Sequence, residues 1–282
     1  MKKFELTTEF ITNALGKKLF RIKALVEFGS VKAGELGGYA EKEENISQDG
    51  NAWVSDDACV SDNAKVFGNA WVYGDAWVHG NAKVFGNAEV YGDTEVSGNA
   101  EVYGDTEVSG DAWVHGNAKV SDNVRVSDNA KVFGNAEVYG DAKVSDNAKV
   151  FGNAEVYGDA KVYGNAWVSD DACVYGDAKV YGNAWVYGDA CVYGDAKVSD
   201  NAEVSGDADY ALVKGFGTEF RCTTFYRDKN KKIMVNCGCF HGDLEAFRKQ
   251  VKETRSGKIA KEYLMIADLM EYHFTSEDSS DE

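Results

Sequence analysis

Cys237, Cys239 and His241 alternate along one expected strand, and Cys222 falls on the strand expected to pair with it, so a zinc site of three thiolates and one imidazole can be drawn there. The spacing C-x-C-x-H is not that of a common zinc knuckle, and reduced cysteines on a half-buried strand are the simpler expectation. His79 and His115 lie 36 residues apart with Ser97 midway between them, poorly placed to share a metal or a proton, and read as surface histidines. Asp57, Asp75, Asp93 and Asp111 recur every 18 residues, which offers either carboxylate oxygens for a hard cation or an acidic surface for a basic partner. What any of these residues can do depends on the repeat that positions them.

Valine occupies every sixth position from Val54 to Val204, and Ala stands two places before it, replaced only by Thr94, Thr106 and Val124. The unit A-x-V-x-[GD]-[ND] alternates small apolar with variable residues, the period of a strand with one buried face, and closes on two turn formers. Proline is absent, so the turns rest on Gly, Asn and Asp. Such units are too short for a hairpin meander. A mainly β solenoid is therefore expected over residues 51–208.

The unit Ala-x-Val-x-Gly-Asn resembles the hexapeptide repeat of the left-handed parallel β-helix family. That resemblance implies a three-sided, single-stranded prism of 18 residues per coil, with residues 18 apart stacked at the strand spacing of ~4.8 Å. The left hand comes from the resemblance alone, because the usual crossover rule favours the right. GELGGYAEKEENISQDGNAWV, residues 34–54, and FYRDKNKKIMVNCGCFHGDLEAF, residues 225–247, followed by KIAKEYLMIADLMEYHF, resemble the ends of uncharacterised hexapeptide proteins of bacteria and their phages, often labelled transferases. Acyltransferases of the family use a His base and loops that project from the coils, and their fold is usually trimeric. Here the valine period runs without an insertion, so only the fold part of that pattern is matched.

Residues 1–50 are expected to cap one open end of the solenoid. Residues 209–275 read as an α+β module, a hairpin and then helices from about Asp243 and Ile259, that caps the other end or binds a partner. Residues 276–282 carry four acids and no base, as expected of a solvated disordered tail.

Stacking at 18 residues sorts the outward positions into three faces. One carries Trp53, Trp71, Glu89 and Glu107, then Arg125, Lys143, Lys161, Lys179 and Lys197. The second is the aromatic face: Trp77 with His79, Trp113 with His115, Phe133, Phe151, Trp167, and Trp185 with Tyr187. The third stacks Phe67, Phe85, Tyr103, Tyr139, Tyr157, Tyr175 and Tyr193 around Ser121. Ring columns stabilise a parallel ladder by themselves, and exposed Trp-rich patches also mark interfaces. Asn columns can hydrogen-bond along their length, whereas ionised Asp columns repel, so an Asp column points to a reason outside folding. Against this, GDAKV places Asp141, Asp159, Asp177 and Asp195 two residues before a Lys.

The chain is 282 residues long with a net charge of -17, and the repeat holds nearly all of it: residues 51–208 carry 26 acids against 10 bases. Such acidity opposes direct nucleic-acid binding. No segment is apolar enough for a signal or a membrane span, and six cysteines without an export signal are expected to be reduced, so a cytoplasmic location follows. No cofactor is expected. The reading is a non-enzymatic acidic scaffold for a protein partner, through Asp57, Asp75, Asp93, Asp111, Glu89 and Glu107 or through the aromatic face. It fits an inhibitor or decoy, phage-encoded by the resemblance, of a host nucleic-acid-binding or defence protein. The alternatives are a hexapeptide acyltransferase and a protein that self-assembles into a homo-oligomer through its aromatic face.

Overall fold

The computed structural model describes residues 2–13, 16–218 and 220–275; the expected acidic tail, 276–282, lies outside the described residues. From Trp53 to Val204 each hexapeptide contributes one short strand, and the 26 strands sort into three parallel sheets. Partners lie 18 residues apart in every sheet, as in Trp71↔Glu89, Glu95↔Trp113 and Lys83↔Glu101. The result is a three-sided parallel solenoid of about nine coils.

Its interior is the A-x-V pair repeated. Every Val of the repeat and every Ala before it is fully buried, in one cluster that runs the length of the solenoid. Burying each Val contributes about 1.5 kcal/mol or more, and Ala leaves room for the chain to turn near the axis. Where Thr94 and Thr106 replace Ala, the hydroxyl donates to the carbonyls of Tyr91 and Tyr103, each at 2.7 Å, so the core carries no unpaired polar group there.

Up to the last coil the fifth residue of each unit makes the corner, and it sits in the left-handed region whether it is Gly (Gly134, φ 75°) or Asp (Asp146, φ 59°). Gly is the default for steric reasons: a Cβ on Gly134 would lie 2.9 Å from the carbonyl oxygen of Gly152 in the next coil. Where Asp is used, its carboxylate accepts the corner N–H of the next coil, as Asp146 does from Gly164 at 2.9 Å and Asp122 from Gly140 at 3.1 Å. These corner aspartates belong to the fold.

Both ends are closed. The strands Phe4–Thr12, Lys18–Ala24 and Leu36–Ala40 form an antiparallel set that joins the sheet carrying the aromatic face, extending it beyond the first coil. Trp53, expected on an outward face, is instead buried against Phe4 and Phe28, because the cap lies over the first coil. Lys3 is buried beside it, donating to the carbonyls of Ala52 at 2.9 Å and Gly50 at 3.3 Å.

At the other end the strands Tyr210–Phe216, Arg221–Arg227, Ile233–Cys237 and Phe240–Asp243 form a four-stranded antiparallel sheet, the expected hairpin with one further strand on each side. Helices α1 (Leu244–Thr254) and α2 (Gly257–Thr275) follow, and Asp243 caps α1 by accepting from Ala246 N–H. The sheet seats on the last coil: Asn236 donates to Lys197 O (2.8 Å) and Ser199 Oγ (3.1 Å), Thr224 Oγ1 accepts from Lys197 N–H, and fully buried Tyr226 joins the solenoid core.

Two stability outcomes follow. Gly134→Ala is expected to lower stability by about 1–2 kcal/mol, from the left-handed backbone and the contact with Gly152, whereas Asp146→Gly changes it by less than about 1 kcal/mol because lost hydrogen bonding and relieved strain offset; denaturation midpoints measure both. Burial pulls the Lys3 ammonium down to about 8, opposed by Asp49. The unfolded chain therefore binds the extra proton between pH 8 and 10.5, and Lys3 makes stability rise with pH across that window. The wild-type minus Lys3→Met difference in unfolding free energy should climb there by about 3 kcal/mol and stay flat below pH 7.

Candidate functional site

The columns are the candidate site, and most of them are satisfied within the chain. Phe67–Phe85 and Phe85–Tyr103 stack at 4.7 and 4.9 Å, and Tyr139, Tyr157 and Tyr175 continue the same column at 4.8 and 4.9 Å. Asn63 donates to Asn81, and that column runs on through Asn99, Asn117, Asn135 and Asn153 until Asn153 Nδ2 reaches Asp171 Oδ1 at 2.9 Å. Donation runs one way, from each residue to the one 18 later, so an Asp can end an Asn run but cannot begin one.

That polarity separates the Asp columns. Asp105, Asp141 and Asp171 each accept from an Asn one coil earlier. Asp57, Asp75, Asp93 and Asp111 stand ahead of the Asn run that starts at Asn129, where no amide is placed to donate to them. All four are exposed, and among the described residues only Asp57 has an ion-pair partner, Arg21 at 3.6 Å. Among the described residues no hydrogen bond or ion pair reaches the carboxylates of Asp75, Asp93 and Asp111. Burial, with Asp57 and Asp75 adding to it, pushes the neighbouring Cys59 thiol up to about 11.

Glu89 and Glu107, expected to extend this edge, are partly engaged. Tyr73 donates to Glu89 at 3.3 Å; Glu107 accepts from Tyr91 and pairs with Arg125 at 3.3 Å. The unpartnered acidic surface is therefore the corner column, flanked by two bound glutamates.

The aromatic face is one sheet, and its side chains largely stack on one another. His115, Phe133 and Phe151 form one column at 5.0 and 4.9 Å, and Trp167 lies on Trp185 at 4.9 Å with planes 2° apart. Rings stacked along the axis present edges outward rather than faces. Lys131 covers Trp113 and Lys149 covers Trp167 as cation–π contacts at 4.3 and 4.2 Å. Trp113 and Trp185 are the most exposed tryptophans, at 41% and 45%, while Tyr187 and Trp77 are half-buried. His79 lies against Trp77 and bonds Glu95 at 3.1 Å; burial lowers the His115 pKa, so that imidazole favours its neutral form.

The zinc quartet does not assemble. Cys237 and Phe240 pair across a tight turn at Gly238 and Cys239, so the strand assumed to run through to His241 reverses, and Cys237 and His241 fall on opposite faces of the sheet. His241 instead pairs with Asp200 at 2.6 Å and meets the Tyr226 hydroxyl at 3.2 Å, on the solenoid side. Burial pushes the Cys222 thiol up to about 11. No group of three metal-ligating side chains gathers among the described residues.

No loop leaves the coils between Trp53 and Val204, and the cleft in the C-terminal module beside Cys237, Phe247 and Tyr263 holds only about 60 Å³, far below the volume a coenzyme-sized donor occupies. No helix among the described residues is long and apolar enough to cross a membrane. No protein-family model matches the chain, and no curated protein matches it.

Asp93→Asn should test the acidic column directly. The new amide can donate to Asp111 and one of four stacked charges is removed, so stability is expected to rise by about 0.5–1 kcal/mol at low salt. Calorimetric melting checks it, with Asp146→Asn as the comparison expected to gain nothing.

Proposed function

We propose that this chain is a non-catalytic, rigid rod that binds a basic protein surface through the exposed aspartates of its early coils. The observation that carries this reading is the contrast between columns. Neighbouring Asn and aromatic columns stabilise the fold, while Asp75, Asp93 and Asp111 have no donor or cation among the described residues and repel one another at the strand spacing. A feature that costs stability and fills no structural role is supported best as a recognition surface. A straight row of carboxylates on a regular scaffold presents a continuous line of negative charge, so the finer reading is an inhibitor or decoy of a nucleic-acid-binding protein whose basic groove takes up that charge without matching the phosphate spacing.

The hexapeptide resemblance, with its left-handed β-helix and its phage and bacterial members, agrees with a decoy that acts on a host protein. Trp113 and Trp185 offer a second contact region on the adjoining face. The acyltransferase alternative draws no support from the uninterrupted coils, from which no loop projects.

Capture from bacterial lysate with immobilised wild-type chain and with the Asp75→Lys/Asp93→Lys/Asp111→Lys variant tests this reading. A partner bound by the wild type should be lost at least tenfold from the variant and should elute with salt. Undiminished capture by the charge-reversed chain would remove the acidic column as the binding surface.

A further inference from the structure

The later coils carry a different surface, which does not depend on the binding reading above. On the face that begins with Trp71, the outward column becomes Arg125, Lys143, Lys161, Lys179 and Lys197, in parallel register rung by rung. The adjoining corner runs from Asp141 to Asp195 in the same steps of 18. A groove of about 750 Å³ lies between the two columns. Asp195 is held by Lys214 from the C-terminal sheet. No ion pair among the described residues joins Lys143, Lys161 or Lys179 to the aspartates beside them; Asp141 accepts from Asn123, and Lys214 acts on Asp177 as well as Asp195.

Period decides what can sit on such a surface. The columns repeat at the coil spacing, which the stacked tyrosines place at 4.8–4.9 Å. An extended peptide repeats its side chains on one face at roughly 6.6–6.8 Å, and each strand of B-DNA carries a phosphate every ~3.4 Å along the axis, so both fall out of step within two or three rungs. A second parallel solenoid keeps step over every rung.

Charge then decides the orientation. With a two-fold axis parallel to the solenoid axis and centred on the groove, the Asp column of each copy faces the Lys column of the other at equal height. A two-fold axis crossing the groove would set Asp against Asp and Lys against Lys. We propose that the paired Asp141–Asp195 and Lys143–Lys197 columns are a self-complementary interface through which two copies of this chain associate side by side, in parallel and in coil register. Each cross-copy pair relieves the like-charge repulsion within both columns, which the single chain offsets by an ion pair only at Asp195 among the described residues. The contact is polar and narrow, so the dimer is weak and sensitive to salt.

Sedimentation velocity on the full chain, at about 10 mM and about 1 M salt, reads the association. The wild type should show a concentration-dependent shift toward twice 30.7 kDa at low salt, lost at high salt. Lys161→Glu/Lys179→Glu and Asp159→Lys/Asp177→Lys should each weaken self-association at least tenfold. Mixed together, the two variants should form a heterodimer, which also shows that both are folded. Zero-length carbodiimide coupling in a mixture of ¹⁴N- and ¹⁵N-labelled chains should join Asp159 of one isotope to Lys161 of the other. A monomer at all concentrations in low salt, a dimer indifferent to both charge reversals, or cross-links that pair distant coils would overturn the proposal.

Discussion

Each residue of this solenoid stacks on the residue 18 places later, at the 4.8 Å spacing of a parallel ladder. The Val and Ala core imposes that register, and everything on the surface inherits it. A side chain therefore meets its own column above and below, and the physical character of that column decides whether the repeat helps or harms. Amides pass a hydrogen bond along the axis, rings stack face to face, and charges of one sign repel.

These consequences divide the surface into parts that hold the rod together and parts that it tolerates. The corner aspartates that follow Ser, such as Asp62 and Asp146, accept a backbone N–H from the next coil and are structural. Those one residue later, Asp75, Asp93 and Asp111, are chemically identical yet have no donor. Alternation of sign offers another solution, which the face carrying Lys83–Glu101 and Lys119–Glu137 uses within the chain. The later Lys and Asp columns place opposite signs side by side instead, where a second copy can complete them.

Much of this was legible in the sequence, because a six-residue period with buried Val and Ala admits few architectures. The assignment of outward residues to three faces followed from arithmetic alone. What escaped lay where the period ends. Trp53 reads as an outward repeat residue, and nothing in its hexapeptide signals the cap that buries it. The drawn zinc site failed because Gly238 and Cys239 make a turn inside what alternation presented as one strand. The distinction between the two classes of Asp was also hidden, since it depends on the direction in which Asn donates from coil to coil.

Like-charge columns are a net cost that the apolar core and the amide and ring columns outweigh. The unfolding midpoint of the wild-type chain as a function of salt, at a dilution where it is monomeric, tests this most directly. Screening shortens the reach of charge from ~30 Å at 0.01 M to ~3 Å at 1 M, so the midpoint should rise steadily with salt. A midpoint that falls would show instead that attraction between columns outweighs repulsion within them.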